Sequence, residues 1–259
     1  MTGSLPAAVD VVVVGGGPAG AATAIWCAQR GLRVVVIERA RFPRHRPGET
    51  LAPGVEPLFR QLGVGDAVKR AGFTRHPGAW VTWSGPRRFD AYGADADGPW
   101  LGFQAPRDRL DHILLKAAAE AGAVVCQPSR AASPIIEDGR VVGVTTADRP
   151  ITAAWVVDAG GGRHWLARRL GVPRRFASSP LIARYGYMRG SDPASDGLPE
   201  IVADESGWTW TAPIAPGLHH WTRLSFSDGD PWRVRPPQRF EGLTPLDRTR
   251  GADVTWRIV

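Results

Sequence analysis

Apolar and polar positions open the chain with a recognisable order. Val9 to Val14 is a run of β-branched residues that carries Asp10 and stops at three glycines. Such a run suits a strand buried on both faces. Pro18 to Arg30 follows, with small residues and with Ile25 and Trp26 at helical positions. Gly31 stands where a helix C-cap belongs. Leu32 to Ile37 is a second apolar strand, ending at Glu38. Together these form a βαβ unit of about 30 residues, which predicts a parallel sheet.

The pattern then loosens. Val55 to Leu62 and Asp66 to Ala71 predict short helices closed by Gly63 and Gly72, and Trp80 to Ser84 and Arg87 to Tyr92 predict antiparallel strands around Gly85-Pro86. Asp108 is the expected N-cap of a helix ending at Gly122, with an apolar face of Leu110, Ile113, Leu114, Ala117, Ala118 and Ala121. Ala123 to Cys126 returns to the parallel sheet. Ser133 to Glu137, Arg140 to Thr146 and Ile151 to Ala153 predict a three-strand meander, with turns at Asp138-Gly139 and at Asp148 to Pro150. Trp155 to Asp158 reads as a separate parallel strand. After Pro173, prolines, tryptophans and alternating segments dominate, and Leu181 to Met188, Gly207 to Ile214 and His219 to Phe226 predict antiparallel strands. The expected fold class is α/β, a Rossmann-like parallel-sheet domain over residues 1–173 and a smaller antiparallel-sheet domain over residues 174–259.

Composition narrows the function classes. The chain has 259 residues, 43% hydrophobic and 22% charged, which is ordinary for a folded protein with a sizeable core. No stretch approaches the roughly 18 apolar residues of a membrane span, and no basic region precedes the first apolar run. Cys27 and Cys126 cannot make a disulfide framework, so a cytoplasmic location is the expectation. The formal net charge is +7, and apart from Lys69 and Lys116 every basic residue is an arginine. These arginines are scattered among acids, with short clusters such as Arg39 to Arg46. A nucleic-acid binder would concentrate them on one face, so an anionic cofactor or substrate is the preferred reading.

The candidate cofactor site lies in the βαβ unit. Gly15, Gly17 and Gly20 form G-x-G-x-x-G, written here as Gly15-Gly16-Gly17-Pro18-Ala19-Gly20. The first glycine permits a tight turn, the second lets backbone approach a pyrophosphate, and the third lets helix and strand pack closely. The helix N-terminus offers free N–H groups and a positive dipole end. Glu38 ends the second strand, where a carboxylate would accept a hydrogen bond from a ribose 2′-hydroxyl and repel a 2′-phosphate. Arg44 and Arg46 follow in a loop, placed to neutralise a pyrophosphate. Asp158 ends a parallel strand, either facing a ligand or capping a helix over residues 161–170. No Cys/His cluster has zinc spacing, no G-x-S-x-G segment is present, and His219-His220 point to opposite faces of a strand, so no metal site is assigned.

Four segments, in order, resemble the FAD-dependent monooxygenase superfamily, which includes aromatic hydroxylases, flavin-dependent halogenases and geranylgeranyl-reductase-like enzymes. They are the glycine fingerprint; Arg46-Pro47-Gly48-Glu49-Thr50-Leu51; Arg107 to Leu114, similar to an R-x-x-L-D-x-x-L stretch; and Trp155-Val156-Val157-Asp158-Ala159-Gly160, with Arg163 after it. The resemblance covers roughly the first 170 residues. It implies a glutathione-reductase-type FAD-binding domain, with an inserted segment of about residues 74–105 on the substrate side. It implies cofactor contacts at Gly15, Gly17, Pro18, Ala19, Gly20, Glu38, Arg39, Arg46, Gly48, Glu49, Arg107, Asp158 and Gly160.

The resemblance implies an oxidoreductase in which FAD carries the redox chemistry, most simply a monooxygenase hydroxylating an aromatic or apolar substrate through a flavin hydroperoxide. The electron source would be NADH, NADPH or reduced flavin from a separate flavin reductase, and the substrate a small molecule or a protein-borne aromatic group. Trp208-Thr209-Trp210-Thr211-Ala212-Pro213 resembles the halogenases' W-x-W-x-I-P motif, with Ala212 for isoleucine. It reads either as an aromatic core stripe or as a wall between flavin and substrate. The halogenases' lysine falls near Arg75 or His76, and neither Lys69 nor Lys116 fits that place, so Trp208, Trp210 and His76 are the substrate-side candidates. A G-D-A-A-type segment is expected near the end of the chain, and Gly229-Asp230-Pro231-Trp232 does not supply it. The expectation is therefore a truncated family member, with halogenation or a catalytically incomplete nucleotide-binding fragment as the alternatives.

Overall fold

The computed structural model describes residues 6–192, 195–226 and 234–259. Gly229-Asp230-Pro231-Trp232 lies outside the described residues. The opening unit forms as the apolar pattern predicts: strand β1 (Ala8–Val14), helix α1 (Pro18–Gln29) and strand β2 (Val34–Ile37). β1 lies parallel to β2, which lies parallel to Val124–Cys126. Val11, Val13, Val34 and Val36 face α1 and the helix Arg107–Glu120. Val12, Val14, Val35 and Ile37 pack on the other side with Val144 and Ile151. Both faces of the strands are buried, which is why they are runs and not alternations.

Two elements differ from expectation. The meander's third strand and the last parallel strand are one strand, Pro150–Asp158. Thr152 pairs with Gly143 on the antiparallel side and with Ala8 on the parallel side, and the strand follows β1 from there to Asp158. The sequence carries no turn residue between Ala153 and Trp155, so nothing ends the strand. The helix expected from Asp108 starts at Arg107, with Pro106 in the capping position and no side-chain cap. Asp108 lies inside the first turn, where its carboxylate favours the helix dipole and accepts the Arg109 N–H at 2.9 Å.

A second, mostly antiparallel sheet is built on Ile182–Arg189, Leu218–Ser225 and Gly207–Ala215. It continues through Glu200–Asp204, a strand without a strong sequence signal, which pairs parallel to Gly78–Thr82, and on to Arg88–Ala91. Thr50–Leu51, Gly102–Gln104 and Thr74–His76 form a small three-stranded sheet. Among the described residues no helix is long and apolar enough to cross a membrane.

The closest backbone approach in the fold lies at the glycine fingerprint. A Cβ on Gly20 would stand 1.8 Å from the Gly15 carbonyl oxygen, whereas one on Gly31 would meet nothing within 4 Å. Gly20→Ala is therefore expected to cost about 3 kcal/mol or more, because backbone must move. Gly31→Ala, strained only by its φ of +79°, should cost about 1 kcal/mol. Urea unfolding of the two variants checks the difference, and equal losses would refute the close approach.

Candidate functional site

The three fingerprint glycines do different work. Gly15 has a φ of +108°, and a Cβ there would lie 2.4 Å from the Ala159 carbonyl oxygen. Gly20 is held against Gly15, as described. Gly17 has φ −71° and ψ −174°, a conformation open to any residue. A Cβ on Gly17 would meet only Arg44 Nη2, at 3.5 Å. Its bareness therefore serves the space in front of it and not the fold behind it. α1 starts beside that space at Pro18, with Ala19 and Gly20 in its first turn. It has no side-chain cap and no acid in the first turn. The amides of that turn and the positive dipole end are left for a ligand.

Glu38 lies at the end of β2, where the sequence predicts it, and is buried. One carboxylate oxygen accepts the Gly16 N–H and the other the Ala40 N–H, each at 2.8 Å. Each oxygen keeps a further lone pair for a hydroxyl donor. Arg39 follows it at the surface. Partial burial of its guanidinium, then the fields of Arg163, Arg46 and Arg130, hold Arg39 below the usual arginine range, and Glu38 opposes them. Like charges gathered beside one carboxylate favour an anion there.

The arginine assignments change. Arg107 is tied to Asp111, through Nε at 2.7 Å and Nη2 at 3.0 Å, and donates from Nη1 to the Pro47 carbonyl at 3.1 Å. Its charge is matched within the protein, so it braces the loop beside Gly48 more than it offers charge to a ligand. A Cβ on Gly48 would lie 3.2 Å from Arg107 Nη1, and Gly48 has a φ of +105°. Arg44 stands against Gly17 and pairs with the same Asp111 at 3.1 Å. Arg44 Nε is buried without a hydrogen-bond partner among the described residues, while Nη1 is the atom that faces Asp111. Burial holds its guanidinium below the usual range, against the pull of Asp111. A half-buried guanidinium with spare donors at a helix N-terminus fits a pyrophosphate. Arg46 is exposed, on the side of Arg39.

Two expected cofactor carboxylates are engaged elsewhere. Asp158 accepts the Gly160 N–H at 2.9 Å and the Leu166 N–H at 2.8 Å, and so caps the helix Trp165–Arg169. Each of its oxygens takes one backbone N–H and, as for Glu38, keeps a further lone pair. Glu49 is buried and accepts the Gly48 N–H at 2.9 Å. Its other oxygen, Oε1, accepts the Tyr187 hydroxyl at 2.5 Å, and His220 Nδ1 stands 3.8 Å from Oε2. It thus meets the antiparallel sheet through Tyr187 and His220. Burial, then the charge of Glu49, push the Tyr187 phenol up. Burial pushes the His220 imidazole down, and Glu49 partly reverses this.

His76 is not a free catalytic group. It is fully buried, its Nδ1 is 2.8 Å from the Gly78 carbonyl, and its Nε2 is 3.2 Å from the Gln104 amide nitrogen. The carbonyl accepts from Nδ1–H, and the amide donates to Nε2, which fixes a neutral imidazole. Burial holds it below the usual histidine range. Arg75 is pinned over the Phe103 ring and donates to Gly102, Leu101 and Glu56. Trp208 and Trp210 are half-buried on one face of Gly207–Ala215, and Trp210 packs with Tyr187, Ala212 and Ile214. That is the sheet face Glu49 touches.

Sequence reasoning passed over Asp111, Tyr187 and His220. Asp111 had a usable signal, because it sits one helical turn after Arg107 inside the quoted stretch. Tyr187 had none, since its partner Glu49 is far away along the chain. Among the described residues no group of His, Cys, Asp and Glu is placed to hold a metal ion.

A family model described as an FAD binding domain matches residues 8–208. The flavin-dependent halogenase armH3 of Armillaria mellea is 29% identical over 236 residues, spanning 84% of this chain and 46% of its own. The tryptophan 2-halogenase of Chondromyces crocatus is 30% identical over 235 residues, spanning 81% of this chain and 42% of its own. The chain thus spans about half the length of these curated relatives. The chondrochloren halogenase CndH, a solved FAD-dependent halogenase, superposes with a TM-score of 0.78 at 29% identity, over 85% of this chain and 53% of its own. The flavin-dependent brominase Bmp2 shares the fold at a TM-score of 0.83 and 24% identity, over 96% of this chain and 68% of its own. With its fingerprint, its bare Gly17 and its spare arginine donors in place, the chain belongs to the FAD-binding domain family of FAD-dependent monooxygenases, and FAD is its cofactor.

Proposed function

We propose that the chain acts in an FAD-dependent oxygenation of an aromatic or apolar substrate, a hydroxylation in its simplest form. One observation carries this reading. The loop that bears Arg44 beside Gly17 ends at Glu49, which touches the sheet face carrying Trp210. Cofactor loop and aromatic face are thereby brought together.

In this reading Gly15, Gly17 and Gly20 shape the turn, and the α1 N-terminus at Pro18, Ala19 and Gly20 meets the pyrophosphate with Arg44. Glu38 accepts from the adenosine ribose, while Arg39 and Arg46 supply positive potential on that side. Arg107 and Gly48 hold the loop, and Gly160 and Asp158 close the helix beneath it. When bound, FAD supplies the redox chemistry. Trp208 and Trp210 form an apolar wall that excludes water and orients a flat substrate. The substrate is free or carried on another protein, as in one relative, a 1H-pyrrole-2-carbonyl-[peptidyl-carrier protein] brominase. Electrons come from NADH, NADPH or a separate flavin reductase.

Halogenation is the second reading, favoured by the names of the relatives. Against it, the place where the resemblance expects a lysine falls near Arg75, which is engaged with Glu56, or His76, which is neutral and fully engaged. Products formed from a panel of indoles and phenols, with reduced flavin and with and without chloride or bromide, separate the two by mass spectrometry. Oxygen insertion indifferent to halide is expected. Halide-dependent product would establish the second reading, and FAD uptake with no product would favour a binding role alone.

The ribose assignment is tested by Glu38→Gln. FAD and AMP should both bind about 10-fold more weakly, the loss of one charge-assisted hydrogen bond. A change for FAD with none for AMP would place Glu38 away from the ribose.

The buried histidines give a pH dependence with a definite sign. Both imidazoles lie below the ordinary value of about 6.5 in the folded chain. Their contribution is complete above that pH. It is lost as pH falls below it, because the unfolded chain takes up protons the folded one does not. Stability should fall by up to about 1.4 kcal/mol per pH unit for each histidine below pH 6.5. His76→Gln, which keeps one donor and one acceptor, should reduce that slope in urea unfolding, and an unchanged slope would contradict the assignment.

A further inference from the structure

The loop from Arg44 to Glu49 runs from the parallel sheet to the antiparallel one, and it is fastened along its length. Arg44 lies beside Gly17 and pairs with Asp111. The Pro47 carbonyl accepts from Arg107. At the far end, two side chains of the loop meet one residue of the other sheet. Glu49 accepts the Tyr187 hydroxyl at 2.5 Å. The His45 ring stands against the Tyr187 ring, with centroids 5.5 Å apart and planes at 52°.

We propose that Tyr187 is a positioning residue for the cofactor: by holding Glu49 and His45 it sets the loop that carries Arg44, so the antiparallel sheet governs how tightly FAD is held. This rests on the reading of Arg44 and Gly17 as the pyrophosphate site. The bond is of the strong kind, a hydroxyl donating to a buried carboxylate. Glu49 has no equivalent substitute nearby, since His220 Nδ1 at 3.8 Å is beyond hydrogen-bond distance. The groups facing the Tyr187 oxygen are Glu49, His220, Tyr185 and Arg250, with His45 on its ring. Among them, burial and Glu49 keep the phenol protonated, so it remains a donor across the ordinary pH range.

Tyr187→Phe keeps the ring against His45 and removes only the hydroxyl. Titrating FAD with flavin fluorescence as the signal, we expect its Kd to rise about 10-fold, with circular dichroism unchanged. Hydrogen exchange of the amides of residues 44–49 should quicken. Glu49→Gln should weaken FAD by a smaller factor, and in the Tyr187→Phe background it should add little, because the two act through one bond. A merely structural tyrosine would lower the unfolding midpoint of the FAD-free chain and leave Kd unchanged for the folded protein. Wild-type uptake with an unaltered Kd in Tyr187→Phe, or additive losses in the double variant, overturns the proposal alone. A wild-type chain with no saturable FAD uptake overturns the cofactor reading and this proposal with it. If Tyr187→Phe does not fold, Glu49→Gln decides: about a 3-fold rise in Kd supports the clasp, and a wild-type value overturns it.

Discussion

A single buried carboxylate, Asp111, holds together the parts of this molecule that face its cofactor. Its side chain is fully buried, and it receives Arg107 in a bidentate pair and Arg44 in an ion pair. One negative charge between two guanidinium groups leaves positive charge over, and that excess lies beside Gly17. Removing the carboxylate would strand two partly buried cations, a loss on the order of 3–5 kcal/mol. The pair also anchors the loop that reaches the second sheet. The site's electrostatics and the joining of the two sheets thus depend on the same contact.

The other acids near the site show how structure and binding compete for the same atoms. Glu38 ties down the Gly16 and Ala40 amides and still keeps acceptor capacity. Asp158 does the same at the start of a helix, with one backbone N–H on each oxygen. Glu49 serves a glycine amide on one side and a tyrosine on the other. Each lies in or after a segment where the chain turns sharply, and each supplies acceptors that the turning backbone needs. A carboxylate at the end of a parallel strand is therefore weak evidence for a ligand until its partners are known.

The βαβ unit and its fingerprint were legible in the sequence because they rest on local periodicity and on glycines whose steric reasons act over a few residues. Gly20 against Gly15 is such a case. The strand Pro150–Asp158 was legible as apolar sequence but not as one strand, since its two halves pair with different partners. The change of partner, not a change of residue type, marks the division. Arg107 could be read from its motif, and Asp111 from the helical spacing. Which of Arg44, Arg46 and Arg107 keeps free donors could not be read, because it depends on where Asp111 sits in three dimensions. The contact between Tyr187 and Glu49 was invisible for the same reason, being made only when the two sheets pack.

The neutrality of His76 bears on what chemistry the site can host. A lysine between flavin and substrate is a mobile cation with three donors. His76 is instead a rigid uncharged ring whose nitrogens are both engaged, within a hydrogen-bonded chain that runs through Gln104 to Thr50. Protonating it would put two donors where one acceptor is required, against the Gln104 amide, in a fully buried position. The hydrogen-bonded chain ends at Thr50, next to Glu49, so the imidazole braces the end of the cofactor loop. At this position the fold holds a fixed, uncharged brace, and the charge of Arg75 beside it is taken up by Glu56 and two backbone carbonyls.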